Sequence, residues 1–227
     1  RHFEVRSPID QDWLIGRFVE ASAQDVDRAV QAAQAAYPAW AATPWRERVA
    51  LLRRAARLIE ERVYAISAAV ALEVGKNRME SIGEVQETAD LIDWYCDQME
   101  ANEGFDRALP DDPLPNFRSH NRTVLRPYGV WAVIAPFNFP FALAGGPLGP
   151  ALIAGNTAVF KVSPETSLSG RLLLDVLHDA GLPAGVINFV TGGDAVGRAL
   201  VEHPGVAGIT FTGSQAVGAV MNALGYA

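Results

Sequence analysis

The 227 residues predict an α/β fold in which a helical amino-terminal layer is followed by a parallel sheet. Two short apolar runs, Val130–Ala135 and Thr157–Phe160, have the length of buried parallel strands, and the small-residue segment between them predicts a helix. Two later runs, Val186–Val190 and Gly208–Phe211, each lead into a glycine-containing turn. Successive strand–turn–helix units of this kind form a parallel sheet.

Composition excludes several classes of function. With 49% hydrophobic and 20% charged residues, the chain is typical of a globular core. A net charge of -7 and the lack of a dense basic face argue against a nucleic-acid partner. No uninterrupted apolar run reaches about 18 residues, so no membrane span is predicted. A single cysteine, Cys96, excludes an internal disulfide and suits a reducing, cytoplasmic compartment.

The first hundred residues predict edge strands followed by helices. Short alternating pieces within Phe3–Val19 predict a small hairpin. Ser22 with Asp25 predicts a capping box at the start of a helix that runs to about Ala39. Thr43 is the predicted N-cap of a second helix, with Pro44 in its first position.

Apolar spacing of three and four residues continues the second helix to Val74, where Gly75 can take a left-handed cap. A third helix carries an apolar stripe that begins at Met79 and contains Cys96. We therefore interpret Cys96 as a small core residue rather than as a nucleophile.

A polar, proline-containing stretch, Asn102–Asn116, predicts a loop. The segment Phe117–Arg126 then predicts an exposed strand, whose edge could be covered either by a second subunit or within its own chain. These boundaries give three predicted regions: amino-terminal strands and helices (1–116), a bridging strand (117–129) and the sheet units (130–227).

A rigid turn between two prolines, Pro136–Pro140, follows the first sheet strand. Its amide side chain, Asn138, can donate to a developing oxyanion or can cap the following helix. Lys161 ends the next strand, where it could reach a ribose or phosphate, or could simply be an exposed lysine. The turns lack a G-x-G-x-x-G motif, so they predict a phosphate site only weakly.

Helices are predicted after each later strand. The first of them begins at Ser163-Pro164-Glu165, and the second follows the turn Thr191–Asp194 and runs through Val201. The last follows Thr212-Gly213-Ser214 and runs from Gln215 to about Leu224. Backbone N–H groups at such turns face the carboxyl edge of the sheet.

Four ordered segments make the chain resemble the NAD(P)-dependent aldehyde dehydrogenase superfamily over nearly its whole length. They are PFNFP (136–140), LGPALIAGNTAVFK (148–161), GLPAGVINFVTGG (181–193) and FTGSQAVG (211–218). The resemblance implies a helical layer, a partial Rossmann-like cofactor sheet and an oligomerisation strand. It favours a homo-oligomer formed through Phe117–Arg126.

The resemblance also implies roles for particular residues. Asn138 matches the amide of the oxyanion hole, and Lys161 matches the lysine that bonds the adenosine ribose. Gly213 and Ser214 match the helix start that meets the pyrophosphate. The remaining implied cofactor positions are the nicotinamide wall (Ile134, Ala135, Pro136 and Phe137), the adenine surroundings (Gly192 and Val217), and Ser163, Glu165, Phe211 and Thr212.

Departures from the family pattern leave two points open. Many NAD-using members have an acid where this chain has Pro164, and the acid here, Glu165, comes one residue later. Because a displaced carboxylate repels a 2′-phosphate less, the implied cofactor is NAD or NADP. The family's nucleophilic cysteine and general-base glutamate are expected beyond residue 227. Residues 1–227 alone are therefore expected to be inactive.

Within the superfamily, three segments resemble 1-pyrroline-5-carboxylate dehydrogenases of proline catabolism, which oxidise glutamate γ-semialdehyde to glutamate. They are Leu72–Asn77, Ala89–Tyr95 and Asn121–Val130. Dehydrogenases for another semialdehyde or an aliphatic aldehyde remain alternatives. A non-catalytic fragment that binds a nucleotide or a subunit is the alternative from another class.

Overall fold

The computed structural model describes residues 1–223, except for the side chains of 220, 222 and 223. The strands are β1 (His2–Arg6), β2 (Leu14–Val19), β3 (Asp106–Ala108), β4 (Arg122–Val124), β5 (Val130–Ile134), β6 (Thr157–Lys161), β7 (Ile187–Val190) and β8 (Gly208–Phe211). The α-helices are α1 (Ala23–Ala42), α2 (Trp45–Glu61), α3 (Val63–Val74), α4 (Arg78–Ala101), α5 (Ala142–Ile153), α6 (Ser167–Asp179), α7 (Asp194–Val201) and α8 (Gln215–Ala223).

Four parallel strands form the main sheet in the order β7-β6-β5-β8, which confirms the predicted α/β fold. The chain builds outward from β5 through β6 to β7 and then returns to the other side of β5 for β8. The strand order therefore reverses at β5, and an open α/β sheet binds its ligands outside the carboxyl ends of the strands at such a point. Register places Ile134 beside both Lys161 and Phe211 at that edge.

The sheet separates two apolar cores. One core contains Val133 of β5 and Phe160 of β6 together with residues of α2 to α6. The other contains Ile134 of β5 and Val159 of β6 with residues of α1, α7 and Met221 of α8. Neighbouring strand residues point to opposite faces, so the two central strands, β5 and β6, contribute to both cores and are buried on both sides, as their continuous apolar sequences predict.

Helix α5 packs closely on α4 because its facing residues are small. A Cβ atom added to Gly145 would lie 2.3 Å from Cγ2 of Thr88, and one added to Gly149 would lie 3.4 Å from Cγ1 of Ile92. Two side chains, one from α1 and one from α2, donate hydrogen bonds to carbonyl groups at the carboxyl-terminal end of α5. Trp40 Nε1 donates to Leu152 O at 3.1 Å, and Arg48 Nε donates to Ile153 O at 2.9 Å.

Several local predictions are confirmed and others are wrong. The capping box of Ser22 and Asp25 is present. The predicted second helix is two helices, α2 and α3, separated at Arg62. Thr43 does not cap α2, because its Oγ1 instead donates to Ala39 O at 3.0 Å at the end of α1. Met79 is 78% exposed, so the buried stripe of α4 begins after it.

The predicted loop and bridging strand form a short hairpin. Strand β3 lies inside the stretch predicted as a loop, and β4 occupies three residues of the predicted Phe117–Arg126 strand. The two strands pair antiparallel, with Asp106 opposite Val124. One edge of β4 is thus covered by its own chain.

Two further boundaries differ from prediction. A 3₁₀ turn, Pro164–Thr166, precedes α6, where an α-helix start was predicted. The predicted end of the last helix, near Leu224, lies outside the described residues. Among the helices formed by residues 1–223, none combines the length and the apolar character that a membrane span needs.

Candidate functional site

A cleft of about 460 Å³ lies at the carboxyl edge of the sheet, where the strand order reverses. The ends of β5, β6 and β8 form its floor, and residues of α7 and α8 form its walls. Nine of the predicted cofactor residues line this cleft: Ile134, Ala135, Lys161, Ser163, Phe211, Thr212, Gly213, Ser214 and Val217. The fold thus gathers residues that are up to 83 positions apart in the sequence.

Lys161 is buried in the floor of the cleft, with only 7% of its surface exposed. The alternative of an exposed lysine at a strand end is therefore wrong. Burial lowers the pKa of the Lys161 ammonium, and the negative charges of Asp194 and Glu165 oppose that effect. Its Nζ donates to Val162 O at 3.2 Å. An ammonium has three N–H donors, so others remain for a ligand in the cleft.

One face of α7 was missed by the sequence analysis. Asp194, Gly197, Arg198 and Val201 all line the cleft. Their spacing of three, one and three residues places them on the same side of a helix. That spacing, together with the position of the helix after a sheet strand, was the signal that could have identified them. A side chain at Gly197 would contact Lys161, because an added Cβ atom would lie 3.6 Å from its Cε.

Four predicted cofactor residues lie outside the lining of this cleft. Pro136 and Phe137 follow Ala135 in the chain and begin the proline-bracketed turn. Glu165 is exposed and accepts a hydrogen bond from Ser163 Oγ. Gly192 has a φ of 147° and lines a separate surface hollow. A Cβ atom at Gly192 would lie 2.5 Å from Cγ2 of Val196, so close packing also favours glycine there.

The turn Pro136–Pro140 presents Asn138 to solvent. Its amide makes no hydrogen bond with any residue that the structure describes. The alternative in which Asn138 caps α5 is wrong, because the N–H groups of Phe141 and Ala142 donate to Glu84 Oε1 at 2.8 and 3.3 Å. The Asn138 side chain is therefore available to a ligand.

Residues 1–225 match the sequence profile of the Aldehyde dehydrogenase family. The chain belongs to the aldehyde dehydrogenase family.

Its relatives include several semialdehyde dehydrogenases. The chain is 41% identical to N-succinylglutamate 5-semialdehyde dehydrogenase of Caulobacter sp. (strain K31), over 91% of this chain and 41% of that protein. It is 35% identical to 1-pyrroline-5-carboxylate dehydrogenase of Staphylococcus epidermidis (strain ATCC 12228 / FDA PCI 1200), over 95% of this chain and 41% of that one. The chain spans about two fifths of the length of these curated relatives.

A solved structure has the same fold. The chain superposes on an NADP-dependent glyceraldehyde-3-phosphate dehydrogenase from Bacillus halodurans C-125, complexed with NADP, with a TM-score of 0.90 and 37% identity. The match covers 98% of this chain and 47% of that one. The sheet and the surrounding helices thus have the aldehyde dehydrogenase architecture.

Cys96 is not a candidate nucleophile in this aldehyde dehydrogenase chain. It is completely buried on α4. Burial raises the pKa of its thiol to about 12, so the thiolate that a nucleophile requires is scarce near neutral pH. The structure confirms the interpretation of Cys96 as a core residue.

Proposed function

We propose that the protein containing these residues oxidises an aldehyde with NAD or NADP, and that the cleft at the carboxyl edge of the sheet holds the dinucleotide. The observation that carries the proposal is the buried Lys161 ammonium at the point where the strand order reverses. The remaining N–H donors of the Lys161 ammonium suit ribose hydroxyls as hydrogen-bond acceptors. Because these hydroxyls are neutral, they do not require a full positive charge beside them. The match with an aldehyde dehydrogenase solved with NADP supports the same class of ligand.

Other groups of the cleft suit the rest of a dinucleotide. The backbone at Gly213 and Ser214 precedes α8, and N–H groups at a helix start favour a pyrophosphate. Val217, which is 40% exposed, offers an apolar surface for the adenine ring. The choice between NAD and NADP depends on Glu165, whose carboxylate would repel a 2′-phosphate if it turned toward the ribose.

The proposed reaction converts an aldehyde, NAD(P)⁺ and water into a carboxylic acid, NAD(P)H and a proton. In the proposed reaction, a cysteine thiolate attacks the aldehyde, and a glutamate acts as the base that activates water. Both residues are proposed to lie outside residues 1–227. Asn138 donates an amide N–H to the oxyanion that forms when the thiolate adds to the carbonyl carbon. When bound, the nicotinamide supplies the hydride acceptor.

We propose a semialdehyde as the substrate, and glutamate γ-semialdehyde in particular. The segments Leu72–Asn77, Ala89–Tyr95 and Asn121–Val130 favour this substrate, as does the Staphylococcus epidermidis relative. N-succinylglutamate 5-semialdehyde is the second candidate, because the Caulobacter relative is 41% identical.

A substrate panel tests this proposal on the complete protein. The rate of NAD(P)H formation is measured with both semialdehydes and with an aliphatic aldehyde of the same length that lacks the carboxylate. We expect the highest kcat/KM with glutamate γ-semialdehyde. A higher value with the N-succinyl compound would favour the second candidate. No NAD(P)H with any aldehyde would contradict the proposed activity.

We also propose that the protein is a homo-oligomer that uses the segment Phe117–Arg126. Phe117 and Leu125 are 57% and 66% exposed, although both are apolar. Exposed apolar groups beside a short strand favour a subunit contact. Sedimentation of the protein with Leu125→Asp tests this contact, and an unchanged mass would contradict it.

A further inference from the structure

A buried carboxylate holds the start of α5, the helix that follows the Pro136–Pro140 turn. The Glu84 side chain belongs to α4 and has no exposed surface. Its Oε1 accepts the N–H groups of Phe141 and Ala142 at 2.8 and 3.3 Å. A carboxylate at a helix start is stabilised by these free N–H groups and by the helix dipole. Glu84 thus fixes the backbone directly after the turn.

Lys76 connects this carboxylate to the turn itself. Its Nζ lies 2.5 Å from Glu84 Oε2 and 3.3 Å from the centre of the Phe139 ring. The Lys76 side chain is only 12% exposed, so water screens these interactions weakly. A cation over an aromatic face is attracted by the ring electrons. Phe139 is the residue next to Asn138, so this contact acts one residue from the amide.

The backbone around Lys76 is fixed on both sides. Gly75 ends α3 in the left-handed conformation, with a φ of 73°. Asn77 is the N-cap of α4, and its Oδ1 accepts the N–H of Glu80 at 3.0 Å. These two caps hold the short connection from which Lys76 extends.

A second buried glutamate provides an internal comparison. Glu73 of α3 accepts the N–H groups of Leu168 and Ser169 at 2.7 and 2.9 Å and also bonds Ser169 Oγ. Within the part of the chain that the structure describes, no cation bridges Glu73 to another segment. A buried carboxylate therefore suffices to bond a helix start in this fold, and the Lys76 bridge to Phe139 calls for a separate explanation.

We propose that Lys76 and Glu84 are positioning residues that hold the Pro136–Pro140 turn so that the Asn138 amide points at the oxyanion. Glu84 fixes the carboxyl-terminal side of the turn through the backbone of Phe141, and Lys76 fixes Phe139 from the same carboxylate. The inference rests on the proposed function, because it assigns a role within the same reaction. It predicts that the pair affects kcat rather than binding of the dinucleotide.

The test compares single and double variants of the complete protein. Lys76→Met removes the charge but keeps most of the side-chain volume. We expect it to lower kcat by roughly tenfold to a hundredfold, as a displaced catalytic group does. The dissociation constant of the dinucleotide should change less than twofold, and Lys76→Arg should recover part of kcat. Glu80→Gln is the control, because Glu80 is an exposed carboxylate on α4, the helix that carries Glu84.

A double-mutant cycle separates positioning from general stability. In an Asn138→Ala background the amide is absent, so we expect Lys76→Met to have little further effect on kcat. A full additional loss of kcat in that background, or an unchanged kcat in the single variant, would overturn the inference. Glu84→Gln keeps a hydrogen-bond acceptor for Phe141 N and should show the same pattern.

A spectroscopic readout keeps this test separate from the proposed activity. The Asn138 side-chain amide gives an NMR signal that can be assigned by its loss in Asn138→Ala. We expect Lys76→Met to shift or broaden that signal and Glu80→Gln to leave it unchanged. An unshifted signal would contradict positioning even if the protein were inactive. A wild-type protein without dehydrogenase activity would contradict the proposed function alone.

Discussion

Lys161 and Asn138 both lie at the carboxyl edge of the sheet, but the Lys161 side chain is buried and the Asn138 side chain is exposed. Lys161 is buried in the cleft floor, where desolvation lowers the pKa of its ammonium. Asn138 is exposed at the tip of a turn that prolines and neighbouring side chains restrain. A buried donor suits a ligand that fills the cleft, whereas an exposed amide suits a substrate that arrives from outside.

The Asn138 amide is expected to act in the transition state rather than in binding. Asn138→Ala in the complete protein should lower kcat by roughly a hundredfold or more, as loss of one oxyanion donor does. The dissociation constant of the dinucleotide should not change. Steady-state kinetics and equilibrium binding together measure both effects. An unchanged kcat would remove Asn138 from the mechanism.

The sequence predicted the positions of these two residues but not their surroundings. A strand end followed by a turn identified both Lys161 and Asn138. Asp194 and Gly197, which line the cleft together with Lys161, belong to another strand–helix unit. Glu84 could not be connected to the turn, because it lies 57 residues before Phe141 in the chain.

At the scale of elements, α5 is held at both ends by side chains from other helices. Glu84 of α4 bonds its first N–H groups, and Trp40 of α1 bonds a carbonyl near its end. The small-residue sequence of α5 predicted a helix between two strands, and the structure confirms it. The same sequence did not indicate which helix packs on α5. Its glycines show that another helix can approach closely, but they do not identify that helix.

Close packing of α5 on α4 predicts a cost for any side chain at Gly145. Gly145→Ala should lower the free energy of unfolding by about 1–3 kcal/mol, because the new methyl group would overlap Thr88. The matched control is Gly83→Ala on α4, where an added Cβ atom has no neighbour within 4 Å. That variant should raise the free energy of unfolding by about 0.5–1 kcal/mol through helix propensity.

Urea unfolding of both glycine variants measures the difference. Equal effects of the two substitutions on the free energy of unfolding would contradict the close approach of the helices. A Gly145→Ala variant with the wild-type free energy of unfolding would also contradict the close approach of α5 and α4.

The capping box of α1 predicts a pH dependence of stability. The N–H and hydroxyl of Ser22, followed by Arg28, lower the pKa of Asp25 from 3.8 to about 2. Because the folded pKa lies below the unfolded one, this contribution is present above about pH 4 and is lost as the pH falls toward about 2. Asp25→Asn should reduce the acid loss of stability over that range. Asp12→Asn, an exposed control, should not.

Urea unfolding at a series of acidic pH values gives the comparison. Identical acid profiles for wild type and Asp25→Asn would contradict the role assigned to the capping box.

At the scale of the whole molecule, the alternation of strands and helices predicted the sheet, its parallel direction and the edge where the cleft lies. It did not predict the break between α2 and α3, because one apolar face continues through both helices. The hairpin of β3 and β4 was also missed in part. Its first strand, Asp106–Ala108, is too short and polar to give an alternating pattern.

The most direct test of the account is equilibrium binding of NAD⁺ and NADP⁺ to wild-type protein and to Lys161→Met, measured by calorimetry. We expect wild type to bind at least one of the two dinucleotides. Lys161→Met should weaken binding by roughly tenfold to a hundredfold through loss of a charged hydrogen bond. Arg54→Met, on an exposed position of α2, is the control and should bind as wild type does. Binding of neither dinucleotide by wild type, or equal binding by Lys161→Met, would contradict the assignment of the cleft.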